Sequence, residues 1–102
     1  MKKVEAIIPV FKLGDIKEEL QNSGVEELLV TEMKELVFAA LHREFYRGAL
    51  AFLDYRVAIK IEMICPLASV AAVKAAVARV ACDGRSHPAI LIVSDIERVF
   101  DF

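Results

Sequence analysis

The clearest pattern in the sequence is a ten-residue alternation, Tyr55-Arg56-Val57-Ala58-Ile59-Lys60-Ile61-Glu62-Met63-Ile64. Successive side chains of a β-strand point to opposite faces of the sheet. One face of this stretch therefore carries Ile59, Ile61 and Met63, and the other carries Lys60 and Glu62. The alternation predicts a strand over 55–64 with one buried face and one charged face in contact with water.

A strand and a helix are predicted upstream of this stretch. Residues 3–8 mix apolar and charged positions and run into Pro9, as an opening strand does. A helix over about 14–23 follows, because apolar residues recur at helical spacing. Its apolar face consists of Leu13, Ile16 and Leu20.

Both ends of this helix carry sequence signals. Asp15 and Glu18 have the spacing of a capping box at the helix start. Gly24 suits the left-handed residue that ends many helices. From Val25 the period of the pattern changes to two, which predicts a strand that continues to about Lys34.

The second half of the chain predicts a helix and a last strand. Pro66 is expected in the first turn of the helix, where its missing N–H costs nothing, and Asp83-Gly84 is expected to end it. The apolar run Ala89–Val93 predicts a central strand covered on one face. Asp95–Val99 has the length of one further helical turn. The buried stripe of the helix is expected to be Val70, Val73, Val77 and Val80.

Local signals conflict between the second and third strands. Apolar residues at helical spacing favour a helix over 32–46, whereas Gly48 weakens that interpretation. Local pattern alone does not decide between a helix and a loop in this region. The element order predicts an α+β fold, a ferredoxin-like βαββαβ sandwich formed by a single domain over 1–102. Its open sheet face requires a cover, for which the apolar composition suggests another subunit.

Composition and charge exclude several classes of protein. Of the 102 residues 57% are hydrophobic, so the chain can bury a core and is not disordered. A formal net charge of −2 provides no basic surface for nucleic acid. No apolar run is long enough for a membrane helix. Two cysteines make no disulfide framework, and we expect a reduced, cytoplasmic protein.

Several short stretches resemble the PII signal-transduction proteins of nitrogen regulation. The resemblance extends from Met1 to about Val99, and it implies a homotrimer in which three sheets pack as a barrel-like core. It also implies a projecting T-loop over about 36–54 in place of a helix. The matching stretches are Met1–Ile8, Phe11-Lys12-Leu13, Gly24-Val25-Glu26, Val30-Thr31-Glu32, Tyr46-Arg47-Gly48-Ala49 and Ile59-Lys60-Ile61-Glu62.

In this family a small effector binds in the clefts between subunits. The resemblance implies that the ligand-binding residues here are Ile7, Lys60, Glu62, Ile64, Gly84, Arg85, Ser86 and His87. Arg85, Ser86 and His87 form either a reduced anion site, suited to an adenine nucleotide or bicarbonate, or a solvated loop. Lys60 and Glu62 either contact the effector or pair with each other across the wet sheet face.

This sequence departs from the family pattern where triphosphates and 2-oxoglutarate bind. Pro88 lacks an N–H donor within the loop that should cradle phosphates. Asp101 stands where the family has a phosphate-binding arginine, and Ala58 replaces a lysine that binds 2-oxoglutarate. Val37-Phe38-Ala39 replaces a Gly-Arg-Gln element, and Ala51 replaces the tyrosine that relatives modify. We therefore expect ATP and 2-oxoglutarate sensing to be lost or altered.

The expected T-loop is unusually apolar around Phe38. It forms either a docking surface for a membrane transporter or a metabolic enzyme, or a helix that covers its own trimer. The residues expected to bind the partner are Leu36, Val37, Phe38, Leu41, Phe45, Tyr46 and Arg47.

Catalytic and metal-binding functions have little support in the sequence. The two histidines have no acidic partners at the spacing of a known motif, and we expect no enzyme activity. A metal-responsive trimer resembling the CutA type is the alternative, and it would use Cys82 and His87. Because transition-metal sites need three or four converging ligands, we assign no metal ligands.

Overall fold

The computed structural model describes residues 1–36, 55–81 and 89–102, which form a four-stranded antiparallel sheet with two α-helices. The sheet order is β2-β3-β1-β4, and every neighbouring pair is antiparallel. This arrangement confirms the predicted α+β ferredoxin-like fold. The elements are β1 (Lys2–Pro9), a 3₁₀ turn (Val10–Lys12), α1 (Leu13–Asn22), β2 (Leu29–Leu36), β3 (Tyr55–Cys65), a 3₁₀ turn (Leu67–Ser69), α2 (Val70–Ala81) and β4 (Ile90–Asp95).

The core lies between one face of the sheet and the two helices, which pack against each other. The predicted alternation in β3 is confirmed, because Ile59, Ile61 and Met63 are buried on this face. Burial of such side chains contributes about 1.5–3 kcal/mol each. The fully buried large side chains are Val4, Ile8, Ile16, Leu20, Ile61 and Val73.

The C-terminal end of α1 is the Schellman motif that Gly24 suggested. The Val25 N–H donates to the Leu20 carbonyl at 3.1 Å, and the Gly24 N–H donates to the Gln21 carbonyl at 3.1 Å. Gly24 adopts a φ of 91°, in the left-handed region. Val25 takes part in this motif, and the strand predicted from Val25 begins at Leu29.

The predicted capping box at Asp15 is wrong. α1 begins at Leu13, and its N-cap residue is Lys12, which makes no side-chain cap hydrogen bond. The preceding 3₁₀ turn leads directly into the helix, so Lys12 has helical rather than extended dihedral angles. Asp15 instead lies within the first turn, where its negative charge interacts favourably with the helix dipole.

The predictions for Pro66 and for a helix over 32–46 also need correction. Pro66 is extended and precedes the 3₁₀ turn, so it does not lie in the first helical turn. Residues 32–36 belong to β2, where pairing with β3 overrides their helical propensity. Residues 37–54 and the helix stop at Asp83-Gly84 lie outside the described residues.

The last part of the chain differs from the prediction in two ways. In the described part of the sheet β4 is an edge strand paired with β1, not a central strand. Asp95 ends this strand, and residues 96–102 form no helical turn. The Ile96 N–H instead donates to the Met1 carbonyl at 3.4 Å, which continues the pairing beside β1.

We predict that Gly24→Ala destabilises the protein by about 1–2 kcal/mol, because an L-residue at this φ is strained. No atom lies within 4 Å of the added Cβ, so the loss arises from the backbone alone. Gly14→Ala is the matched control. It also meets open space, lies within α1 and should raise the free energy of unfolding by up to about 1 kcal/mol. Urea denaturation measures both, and equal effects of the two substitutions would contradict the assignment.

Candidate functional site

The sheet face opposite the helices, called the open face here, carries the described candidates for effector binding. Strand register places Ile7 opposite Lys60, Glu5 opposite Glu62 and Lys3 opposite Ile64. Ile7, Lys60, Glu62 and Ile64 therefore share this face. The other four candidates, Gly84, Arg85, Ser86 and His87, lie outside the described residues.

Four charged side chains form a network at the centre of the open face. Glu5 and Glu62 are directly opposite each other, an arrangement of like charges that is unfavourable by itself. Lys3 Nζ lies 3.1 Å from a Glu62 carboxylate oxygen and 3.9 Å from a Glu5 oxygen. Lys60 Nζ lies 3.7 Å from an oxygen of each carboxylate. The network therefore has two positive and two negative charges and no net charge.

Hydrogen bonding within this network shifts two pKa values. The bond that Lys3 donates to Glu62 lowers the pKa of Glu62, and the charge of Lys60 lowers it further. The same bond and the nearby Glu5 carboxylate raise the pKa of Lys3. Both shifts favour the charged forms at neutral pH. Thus Lys60 and Glu62 do pair across the sheet face, whereas their contact with an effector stays a prediction.

Apolar side chains border the charge network. Leu29 lies beside Glu62, Ile92 lies beside Glu5 and Ile90 lies beside Ile7. These residues and Ile64 are each about half exposed on a face that no described helix covers. Exposed apolar side chains on both sides of a charge network are typical of a surface that associates with another protein.

Two grooves lie near opposite ends of the open face. The predicted ligand-binding residues Ile7, Glu62 and Ile64 are divided between them. The hairpin groove has a volume of about 490 Å³ and is lined by residues 7–11, 56–58, Glu32 and Glu35. The helix-end groove has a volume of about 820 Å³, and its lining includes Lys3, residues 62–66 and Val99. Ile7 thus lies in the first groove, whereas Glu62 and Ile64 lie in the second. The two grooves of a single chain therefore do not bring the described candidates Ile7, Glu62 and Ile64 together.

The β2–β3 pair extends past the end of β1, and Leu36 pairs with Tyr55 at the end of its described part. Arg56 Nε donates to Glu35 Oε1 at 2.7 Å. The Lys34 ammonium lies 4.9 Å from the centroid of the Tyr55 ring, within cation–π range. Leu36 is about half exposed. The other predicted partner-binding residues, Val37, Phe38, Leu41, Phe45, Tyr46 and Arg47, lie outside the described residues.

The described residues give no metal centre and no membrane-spanning helix. No group of three His, Cys, Asp or Glu side chains in 1–36, 55–81 and 89–102 converges to hold a metal ion. Cys65 is buried with a free thiol at the end of β3. Cys82 and His87 lie outside these ranges. No helix within them is long and apolar enough to cross a bilayer.

Known proteins resemble this chain over nearly its whole length, although no family model matches it. It is 39% identical to the nitrogen regulatory protein P-II of Mesorhizobium japonicum over 99 residues, which cover 97% of this chain and 88% of the relative. The nitrogen regulatory protein P-II 1 of Escherichia coli K12 is 36% identical with the same coverage. The chain belongs to the PII family. PII proteins are signal-transduction regulators and not enzymes, so the expectations of family and of a non-catalytic function are confirmed.

Sequence reasoning missed two members of the charge network in this PII chain. Lys3 and Glu5 alternate with buried Val4 and Ala6 in β1, as Lys60 and Glu62 alternate with Ile59 and Ile61 in β3. The alternation could have placed Lys3 and Glu5 on the open face. It could not have placed them next to Lys60 and Glu62, because that depends on the register between strands distant in sequence.

The network predicts how the stability of this PII protein depends on pH. Because the pKa of Glu62 is lower in the folded state, its contribution is present above about pH 4.3, the unfolded value, and is lost as the pH falls through the folded pKa. We therefore expect Lys3→Met to make the loss of stability between about pH 5 and pH 3 less steep. Urea denaturation at several pH values measures this slope.

Lys74→Met, on an exposed position of α2, is the control and should keep the wild-type slope. Lys2 hydrogen-bonds to Asp95 and lowers the pKa of that carboxyl. This second contact is intact in both variants and contributes equally to each slope. An unchanged slope in Lys3→Met would show that the contact between Lys3 and Glu62 does not stabilise the fold.

Proposed function

We propose that this chain is a PII-type regulator that forms a homotrimer through its open face. In this proposal a small effector binds in the cleft between subunits, and the segment 36–54 signals to a partner. The observation that carries the proposal is the open face, in which a neutral charge network lies inside an apolar border.

The chemistry of the open face suits association with copies of itself. Two copies of a face with a net charge would repel each other, whereas this network is neutral. Its carboxylates and ammonium groups already pair within each chain, so burial leaves no charge without a partner. The apolar border then supplies the favourable free energy of association.

The division of the candidate ligand residues between two grooves supports a site shared by two subunits. Ile7 lines the groove near the end of β1, and Glu62 lines the groove near the start of β1. In a closed ring of identical subunits each contact joins one end of a subunit to the other end of the next. Such a contact brings the hairpin groove of one copy beside the helix-end groove of its neighbour.

The residues around this cleft favour an effector smaller than a triphosphate. Arg85, Ser86 and His87 offer one cation and a few donors, while Pro88 offers none. Asp101 would repel a phosphate chain where relatives place an arginine. We therefore assign an adenine nucleotide with few phosphates, or bicarbonate, as the effector, and we propose that joint sensing of ATP and 2-oxoglutarate is lost.

Effector binding can control a partner only if it favours one conformation of the signalling segment. Leu36 and Tyr55 flank residues 37–54 and lie side by side where the described strands end. Arg56 joins this end of the strands to the hairpin groove, because it lines the groove and bonds Glu35. A ligand beside Ile7 is thus close to the base of the segment that would bind a cytoplasmic enzyme or the cytoplasmic side of a transporter.

We predict that the purified protein is a trimer and that Ile64→Asp reduces it to monomers. Ile64 is 51% exposed in one chain, so the substitution should not disturb the fold of the monomer. Leu67→Asp is the control, since Leu67 is 68% exposed and lies outside the open face. Light scattering coupled to size-exclusion chromatography gives the mass, and a monomeric wild-type protein would overturn the proposed assembly.

Calorimetry with ATP, ADP, AMP and bicarbonate tests the effector. We expect weak or absent binding of Mg-ATP, with no increase when 2-oxoglutarate is added. Binding of AMP, ADP or bicarbonate to the trimer and not to a monomeric Ile92→Asp variant, which changes an exposed residue of the open face outside the predicted ligand set, would support a site between subunits. Tight Mg-ATP binding enhanced by 2-oxoglutarate would contradict the loss of family sensing.

A further inference from the structure

The last three residue pairs between β2 and β3 extend beyond the rest of the sheet. β1 ends with Pro9 opposite Ala58, so within the described part of the sheet these pairs are supported by two strands alone. A two-stranded ribbon has little stability by itself. The terminal pairs, as they are called here, are Lys34 with Val57, Glu35 with Arg56 and Leu36 with Tyr55.

A side-chain contact on each face of this ribbon helps to hold the terminal pairs together. On the open face Arg56 Nε donates to Glu35 Oε1 at 2.7 Å, and the two side chains are 43% and 32% exposed. On the opposite face the Lys34 ammonium lies 4.9 Å from the centroid of the Tyr55 ring. Exposed contacts of both kinds contribute little to stability. A competing partner for one of these side chains can therefore shift the pairing at this end of the strands.

Arg56 and Glu35 both line the hairpin groove, which also contains the predicted ligand residue Ile7. Neither Arg56 nor Glu35 belongs to the ligand-binding or partner-binding residues predicted from the sequence. Among the described lining residues of this groove Arg56 is the one cation, and Glu32 and Glu35 are the carboxylates. A guanidinium has five N–H donors and pairs closely with carboxylates and phosphates. An anion that enters the groove therefore has Arg56 as its cationic partner and must compete with Glu35 for it.

We propose that an anionic effector in the hairpin groove takes Arg56 from Glu35 and thereby weakens the terminal pairs. This inference rests on the proposed function, because the anion is the phosphate of an adenine nucleotide or bicarbonate. An anion and the Glu35 carboxylate on the same guanidinium repel each other, so binding of one disfavours binding of the other. The exchange supplies the difference in affinity between two states that control of a signalling segment requires.

The exchange reaches the signalling segment through the two residues that flank it. Leu36 precedes and Tyr55 follows residues 37–54 in the sequence, and the two are opposite each other in the sheet. Antiparallel pairing keeps opposite Cα atoms about 4.5–5.5 Å apart. When Arg56 bonds the anion instead of Glu35, the terminal pairs open more often, and the two ends of the segment are held together for less of the time.

Amide hydrogen exchange in the full-length protein tests the effect on the terminal pairs. AMP and sodium bicarbonate are the probes, and sodium chloride at the same ionic strength controls for screening of the ion pair. We expect the probe that binds to speed exchange within 34–36 and 55–57 about two- to fivefold. Residues 59–62 lie between β1 and β2 and should not change. Unchanged or slower exchange at the terminal pairs in protein saturated with a probe would contradict the proposal.

Two substitutions have opposite expected effects on the affinity for the probe, which calorimetry measures. Arg56→Gln removes the cation and should weaken binding about tenfold or more. Glu35→Gln removes the competitor and should strengthen binding about two- to fivefold. Each should also speed exchange at the terminal pairs before any probe is added. Glu32→Gln is the matched control, because it removes a carboxylate of the same groove and leaves the bond between Arg56 and Glu35 in place.

The outcomes separate this inference from the proposed function. Equal strengthening of binding by Glu35→Gln and Glu32→Gln would assign the effect to the general charge of the groove and overturn the exchange of partners. Binding that Arg56→Gln leaves unchanged would also overturn the exchange, while the proposed effector and trimer would stand. If neither AMP nor bicarbonate binds the wild-type protein, the proposed effector and the exchange are both wrong.

Discussion

The antiparallel register between β1 and β3 is the constraint on which the rest of the structure depends. It places Glu5 opposite Glu62 and, by the same pairing, Val4 opposite Met63 and Ala6 opposite Ile61. A shift of one residue would move the apolar side chains of β3 to the open face and bury its charges. The core and the charge network therefore specify the same register, one through burial and the other through contacts between Lys3 and the two carboxylates.

The sequence predicted those features whose cause is local. The alternation in 55–64 predicted which face of β3 is buried, and Gly24 predicted a left-handed end to α1, since each depends on a few adjacent residues. The wrong predictions concern residues whose structure is decided by a distant strand or by the turn that precedes them. Residues 32–36 have helical propensity but pair with β3, and Asp15 has the spacing of a cap although the turn before it is already helical. An apolar run such as Ala89–Val93 fits an edge or a central strand equally well.

The candidate site depends even more on contacts between residues that are distant in sequence. The family resemblance selected Lys60 and Glu62, but their partners Lys3 and Glu5 lie nearly sixty residues away in sequence, and only the sheet register brings them together. The two grooves are still harder to predict from the sequence. Each is lined by elements from both halves of the fold, so neither could be anticipated from any one stretch of the chain.

In the proposed trimer, a neutral network flanked by apolar side chains also bears on how identical chains would recognise each other. Replacing the four charged side chains with apolar ones would strengthen association through the open face. A buried ion pair often stabilises an interface less than well-packed apolar side chains of similar volume do. The charges instead make misaligned contacts costly, because a displaced copy would set carboxylate against carboxylate or ammonium against ammonium. Apolar residues such as Ile64 and Ile92 tolerate many alignments, whereas Lys3, Glu5, Lys60 and Glu62 tolerate few. In the proposed trimer the network would contribute to the specificity of association, while the apolar side chains beside it would supply the free energy of association.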